Sequence, residues 1–199
     1  MQRSETEFAG PDFAWPEGSA PRIETRRLVL DLLSPAALRA IAEGRLDEAS
    51  RPTGCDLTGF PEAERDIAAI RLKDLEADPA YLPWSLRLMR LKPELRFVGY
   101  FNFHTRPDPT YLREIAPGAV EFGYFVAPDF RRRGLAEETA RGMMDWAAGT
   151  HGIHHFVISV SPGNAPSVAM ARKLGFARIG GHMDEEDGYE DILSLMRPG

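Results

Sequence analysis

Leu28, Leu30 and Leu32 alternate with Arg27, Val29 and Asp31. That period of two predicts a strand from Arg26 to Leu33. Ser34-Pro35 then supplies an N-cap and a first-turn proline. Leu38 and Ile41 form a helical face that Gly44 stops. Arg45 to Phe60 reads as a connection punctuated by Pro52, Gly54 and Gly59. Ala68, Leu72 and Leu75 have helical spacing, so a longer helix is expected from Pro61 to about Ala77, with Pro79 and Pro83 at its exit. Trp84, Leu86 and Leu88 alternate with Ser85, Arg87 and Met89. This strand and the next, Arg96 to Phe103, flank the turn Lys92-Pro93-Glu94 and make an antiparallel hairpin.

His104 to Gly118 contains Pro107, Pro109 and Pro117 and no period. A loop of this length is either a substrate-lining element or a plain surface excursion. Ala119 to Val126 reads as a strand. Leu135 to Ala148 reads as a helix with Leu135, Thr139, Met143 and Ala147 on one face and Gly149 as its stop. Phe156 to Val160 is nearly all apolar, as a strand covered on both sides would be. Asn164 and Pro166 open a further helix that Gly175 closes. Phe176–Met183 and Tyr189–Met196 form a final strand pair around the acidic turn 184–188. Helices between strands, with hairpins toward both ends, give one α/β (α+β) domain with a mixed sheet over residues 22–199. Residues 1–21 are expected to be a poorly ordered tail. Its Phe8, Phe13 and Trp15 leave room for docking on the body or on a second subunit in a homodimer.

Composition narrows the partners. The net charge of −6 argues against a nucleic-acid backbone. No apolar run approaches a membrane span, and Met1–Phe13 lacks the apolar core of a signal peptide, so a cytoplasmic address is expected. The single Cys55 excludes an internal disulfide framework and, lying in a loop with no base beside it, makes a poor nucleophile. His151, His154 and His155 cluster at a helix-to-strand junction without an acidic ligand nearby in sequence, so no metal site is expected.

The most informative stretch runs from Val120 to Ala148. Arg131-x-x-Gly134-x-Ala136 falls between a strand and a helix. A helix start offers N–H groups without internal partners and the positive end of the macrodipole. Gly134 permits close approach, and Arg132 through Ala136, Leu135 included, can converge as an anion nest. Arg131, Arg132 and Arg133 add positive charge. The alternative is a solvated basic turn. The stretch lacks G-x-x-x-x-G-K-[ST], which disfavours a P-loop nucleotide site.

This turn resembles the coenzyme A turn of the GNAT superfamily of N-acetyltransferases. Glu121-Phe122-Gly123-Tyr124 before it, Asn164-x-x-Ser167 with Lys173-Leu174-Gly175-Phe176 after it, and Thr25-Arg26-Arg27-Leu28-Val29-Leu30 near the start are similar to the branch related to ribosomal-protein N-acetyltransferases. The resemblance runs from Thr25 to the C-terminus. It implies a mostly antiparallel central sheet flanked by helices, with two central strands splayed apart. It implies acetyl-CoA as acyl donor, held by Phe125, Val126, Arg131–Ala136, Asn164 and Ser167. It also implies direct acetyl transfer, in a ternary complex, to a primary amine of a protein N-terminus or a small molecule. Glu121 would be the base, directly or through water, with burial raising its pKa; an ion-paired glutamate is the plain alternative. A backbone N–H near Phe125 or Val126 would meet the oxyanion. Ser167 would protonate the leaving thiolate, or would merely cap a helix. Asn164 would contact the cofactor, cap its helix, or both. Many members have glycine where Arg132 stands, and an arginine there can still give its backbone N–H if its φ is negative. A non-catalytic acyl-CoA-binding module is the competing function.

Overall fold

The computed structural model describes residues 22–184 and 188–199. The expected tail over 1–21 lies outside the described residues, as do 185–187 of the acidic turn. Eight strands form one sheet: β1 (Ile23–Glu24), β2 (Leu28–Leu32), β3 (Arg87–Leu91), β4 (Arg96–Phe103), β5 (Val120–Val126), β6 (His155–Val160), β7 (Ala177–Asp184) and β8 (Gly188–Met196). Their order is β1-β2-β3-β4-β5-β6-β8-β7, and every neighbouring pair except β5–β6 is antiparallel. Among the described residues five α-helices accompany them: α1 (Pro35–Ala42), α2 (Leu46–Thr53), α3 (Asp66–Ala77), α4 (Leu135–His151) and α5 (Ala165–Leu174).

Most expected elements are present, and the departures have local causes. The stretch read as a connection contains α2. Pro52 suggested a break, but it sits in the last turn, where Gly54 in the left-handed conformation ends the helix, and Asp47 and Glu48 favour its start. The helix expected from Pro61 begins at Asp66, after a single 3-10 turn over Glu62–Glu64. Pro79–Trp84 is a 3-10 segment, so β3 starts at Arg87 rather than Trp84. Helix α4 passes through Gly149 and stops at Gly152, which has φ 67° and takes the left-handed cap.

Side chains that alternate along β4 and β5 meet different helices. Phe60 stacks on Tyr100, and Arg71 of α3 donates to the carbonyls of Phe103 and His104. On the other face Trp146 of α4 lies against Phe103, while Phe176, just beyond α5, meets Phe122 edge-on. Thr139 and the apolar Leu135, Met143 and Ala147 of α4 are buried, as their spacing predicted. A smaller buried cluster of Leu112, Ala116, Ala119, Val157 and Ile192 seats the 104–118 loop on the sheet.

The segment joining β5 to α4 is held from below. Glu138, in the first turn of α4, accepts from Thr25 Oγ1 at 2.6 Å, Arg27 N at 2.7 Å and Arg27 Nε at 2.6 Å. Arg27 Nη1 also donates to the Arg133 carbonyl at 2.9 Å. Two residues in this turn are left-handed: Gly134 at φ 72° and Arg132 at φ 59°. The condition of a negative φ at Arg132 is therefore not met. The turn reverses its path there, as it would with glycine, and the arginine side chain bears the steric cost.

Arg132→Gly is expected to leave stability unchanged or raise it by up to about 1 kcal/mol, whereas Arg132→Val should lower it by roughly 1–2 kcal/mol. Urea melts of the two variants measure the difference. Glu138→Ala removes three hydrogen bonds to a carboxylate and should cost roughly 2 kcal/mol, read as a fall in melting temperature.

Candidate active site

Strands β5 and β6 pair only at Val120↔Phe156 and Glu121↔Val157. Beyond Glu121, β5 stays on β4 as far as Val126, and β6 stays on β8 as far as Val160. The two strands therefore part and leave an opening between them. Its walls follow from ladder chemistry. Ala127 N–H donates to Val98 and His104 N–H donates to Glu121, at 2.9 and 2.8 Å. Paired residues alternate in an antiparallel ladder, so positions 121, 123, 125 and 127 turn their amides to β4. Phe122, Tyr124 and Val126 turn theirs toward β6. This corrects the expectation for Phe125, whose amide is used against Tyr100. Tyr124, which sequence reasoning passed over, presents an open amide beside Val126.

The basic turn at Arg131–Ala136 stands at the end of this edge. The first bond closing α4 runs from Glu138 N–H to the Gly134 carbonyl at 3.1 Å. The N–H groups of Leu135, Ala136 and Glu137 thus have no carbonyl within the helix. Arg131 through Gly134 are exposed, and Ala136 is half-buried. The arginines divide their work. Arg131 Nε donates to the Val126 carbonyl at 2.8 Å, with its guanidinium over the Phe125 ring. Arg133 lies over Phe130. Arg132 carries its charge on the exposed crest.

Two carboxylates in the first turn of α4 would repel an anion if left bare. Glu137 bonds Lys173 Nζ at 2.6 Å and Arg141 at 3.3 Å, and these partners hold it below the usual carboxylate range. Burial pushes Glu138 up, but Thr25 and Arg27 outweigh that and hold it low. Each is ionised and matched by cationic side chains, which preserves the positive end of the helix for a ligand.

Glu121 and Ser167 lie on opposite faces of the sheet, with the opening between them. Glu121 is 4% exposed. Its Oε2 accepts from Tyr111 Oη at 2.6 Å and stands 3.6 Å from His104 Nδ1. Burial does push its pKa up, as expected, but hydrogen bonds and charge from His104, with hydrogen bonds from Ser159 and Tyr111, prevail and lower it to about 2. The expected raised pKa is thus reversed. The sequence showed an acid in an apolar strand, whereas its donors come from loop 104–118 and from β6. His104 and Tyr111 belong to this site and went unassigned in the sequence; their place in the long prolyl loop was the available signal.

On the other face, Tyr124 Oη donates to Ser167 Oγ at 3.0 Å. The serine's own proton is then left to point elsewhere. Asn164 Oδ1 accepts from Ser167 N–H at 3.2 Å, so the helix-capping reading of Asn164 holds, and its Nδ2 keeps donors to spare.

The other sequence candidates have structural employment. His155 bonds the Pro117 carbonyl at 3.0 Å and Ser194 Oγ at 2.8 Å, which ties the 104–118 loop to β8. His151 packs against Trp84 and Trp146. Among the described residues no group of three or more potential ligands could hold a metal ion. Cys55 lines a recess of about 600 Å³ with Phe97 and Phe130, but burial pushes its thiol up, away from the reactive thiolate. No described helix is long and apolar enough to cross a membrane.

Comparison with known proteins agrees with this geometry. The family pattern described as an acetyltransferase (GNAT) domain matches residues 27–177. The uncharacterized N-acetyltransferase YnaD of Bacillus subtilis is 25% identical over 84 residues, a match that covers 42% of this chain and 41% of YnaD. The ribosomal-protein-S5-alanine acetyltransferase of Vibrio fischeri superimposes with a TM-score of 0.60 at 14% identity, covering 89% of this chain and 99% of that one. The microcin C7 self immunity acetyltransferase MccE, in complex with acetyl-CoA and AMP, gives 0.58 at 14% identity, covering 87% and 94%. These two likenesses are of fold. The match over residues 27–177 extends through most of the sheet and both walls of the opening, and the chain belongs to the GNAT acetyltransferase family.

Proposed function

We propose that this protein transfers the acetyl group of acetyl-CoA directly to a primary amine, in a ternary complex without an acyl-enzyme. The observation that carries the reading is the parting of β5 from β6 immediately after Glu121, with the anion turn at the far end of the same strand. The pyrophosphate would sit on the N–H groups at the start of α4, near the charge of Arg132. The amide-bearing pantetheine arm would pair with the open edge at Tyr124 and Val126, as an added strand does. The thioester would then lie between Glu121 on one face and Ser167 on the other. That acetyl-CoA is bound in the MccE complex supports the choice of donor.

The roles follow from charge. An α-amine titrates near 8 and a lysine amine near 10.4, so a proton must leave the nitrogen at or before attack. Glu121 is the carboxylate on which that removal depends, and the Tyr124 N–H, the open amide nearer the thioester, would stabilise the tetrahedral oxyanion. Ser167, which accepts from Tyr124, has its own hydroxyl proton to offer the leaving thiolate. A peptide or protein α-amine is the favoured acceptor, through the similarity to the ribosomal-protein acetyltransferases.

The primary test is thiol release from acetyl-CoA against a panel of N-terminal peptides, lysine peptides, polyamines and aminoglycosides, with product mass measured. One amine gaining an acetyl group is the expected result. Tight coenzyme A binding with no turnover on any member would instead establish a sensing module. Glu121→Gln should lower kcat by about 100-fold while calorimetry shows acetyl-CoA affinity within about twofold of wild type; a wild-type rate would remove Glu121 from the mechanism. Ser167→Ala should lower kcat by only about 10-fold, because a thiolate is already a good leaving group.

A further inference from the structure

The carboxylate of Glu121 is enclosed: its Oε2 accepts from Tyr111 Oη at 2.6 Å, and its side chain is 6% exposed. A carboxylate so enclosed has little room to meet an incoming amine directly. The ring beside it is differently placed. His104 follows directly on β4, and its side chain is 37% exposed where that of Glu121 is 6% exposed. Its backbone is pinned on both sides: its N–H donates to the Glu121 carbonyl at 2.8 Å, and its carbonyl accepts from Arg71 Nη1 at 2.8 Å. Nδ1 faces Glu121 Oε2 at 3.6 Å. Nε2 lies over Gly123, so close that a Cβ there would come within 2.8 Å of it. Gly123 is the second residue of β5 after the strand parts from β6. One nitrogen of the ring therefore addresses the buried carboxylate, while the other stands over Gly123, just beyond the point where the strands part.

We infer that His104, through Nε2, takes the proton from the incoming amine, and that Glu121 and Tyr111 are its positioning residues. The inference rests on the acetyltransferase reading above and names the proton acceptor within it. The amine lone pair attacks the thioester carbonyl carbon, and an N–C bond forms as one N–H proton passes to Nε2. On collapse the C–S bond breaks and its electron pair leaves with sulfur. The thiolate gains one proton, the imidazolium releases one to water along its exposed edge, and the sum is amide plus free thiol. Glu121 stays ionised throughout. Its charge stabilises the imidazolium as it forms and turns the ring so that Nε2 is the free nitrogen. Tyr111, donating to the same carboxylate oxygen, fixes the carboxylate in place. The loop that supplies both His104 and Tyr111 thereby becomes part of the catalytic apparatus, beyond any part in selecting the acceptor.

The test uses the full chain and whichever panel amine wild type acetylates fastest. His104→Gln and His104→Ala should each lose at least 100-fold in kcat, with acetyl-CoA affinity by calorimetry and the melting temperature near wild type. Added imidazole should restore His104→Ala at least tenfold and leave His104→Gln unchanged, which a purely architectural histidine would not do. A His104→Gln rate within threefold of wild type, or no restoration of His104→Ala by imidazole, overturns the proposal. Wild-type silence on the entire panel is a separate result: it removes the acetyltransferase reading itself, and this inference falls with it.

Discussion

One short parallel contact governs this molecule. An otherwise antiparallel sheet contains a single parallel pair, and that pair lasts two residues before β5 and β6 diverge. Divergence exposes backbone N–H and C=O groups in the middle of a sheet, where they would ordinarily be satisfied by a neighbour. The fold tolerates the gap because each strand is secured on its other side, β5 by β4 and β6 by β8. Val126 finds an internal substitute, as Arg131 reaches back to its carbonyl. What remains is a polar edge open on its β6 side.

Charge is arranged around the opening with equal economy. The start of α4 is positive by construction, yet Glu137 and Glu138 stand in its first turn. Pairing with Lys173, Arg141 and Arg27 separates their structural use from their electrostatic one. The carboxylates anchor α5 and the β1–β2 corner, and their charge is matched where an anion would approach. Glu121 is managed in the opposite sense, buried among donors that keep it ionised at all ordinary pH.

Legibility in the sequence divided along physical lines. Alternation and caps are local, so the strands and the start of α5 at Asn164 could be read directly. The turn with Gly134 could be placed because its residues are contiguous. Helix α2 was hidden because Pro52 is a breaker anywhere except near a helix end, and its distance from that end depends on Gly54. The φ of Arg132 was unreadable because left-handed geometry there is imposed by the path from β5 to α4. The protonation of Glu121 was misjudged for a related reason. Burial belongs to the strand and shows in its neighbours, but its donors come from positions 104, 111 and 159, and no spacing along the chain announces them.

Gly123 ties two distant positions into one unit. The space its missing side chain leaves is occupied by the His104 ring, which approaches a would-be Cβ to 2.8 Å. Alanine at 123 would oblige the imidazole to move from its present seat. The two positions should therefore drift together among descendants of this chain, histidine and glycine being kept or lost as a pair. A lineage that fills position 123 would have to reseat the ring at 104, and the shape of the strand would record that the change had occurred.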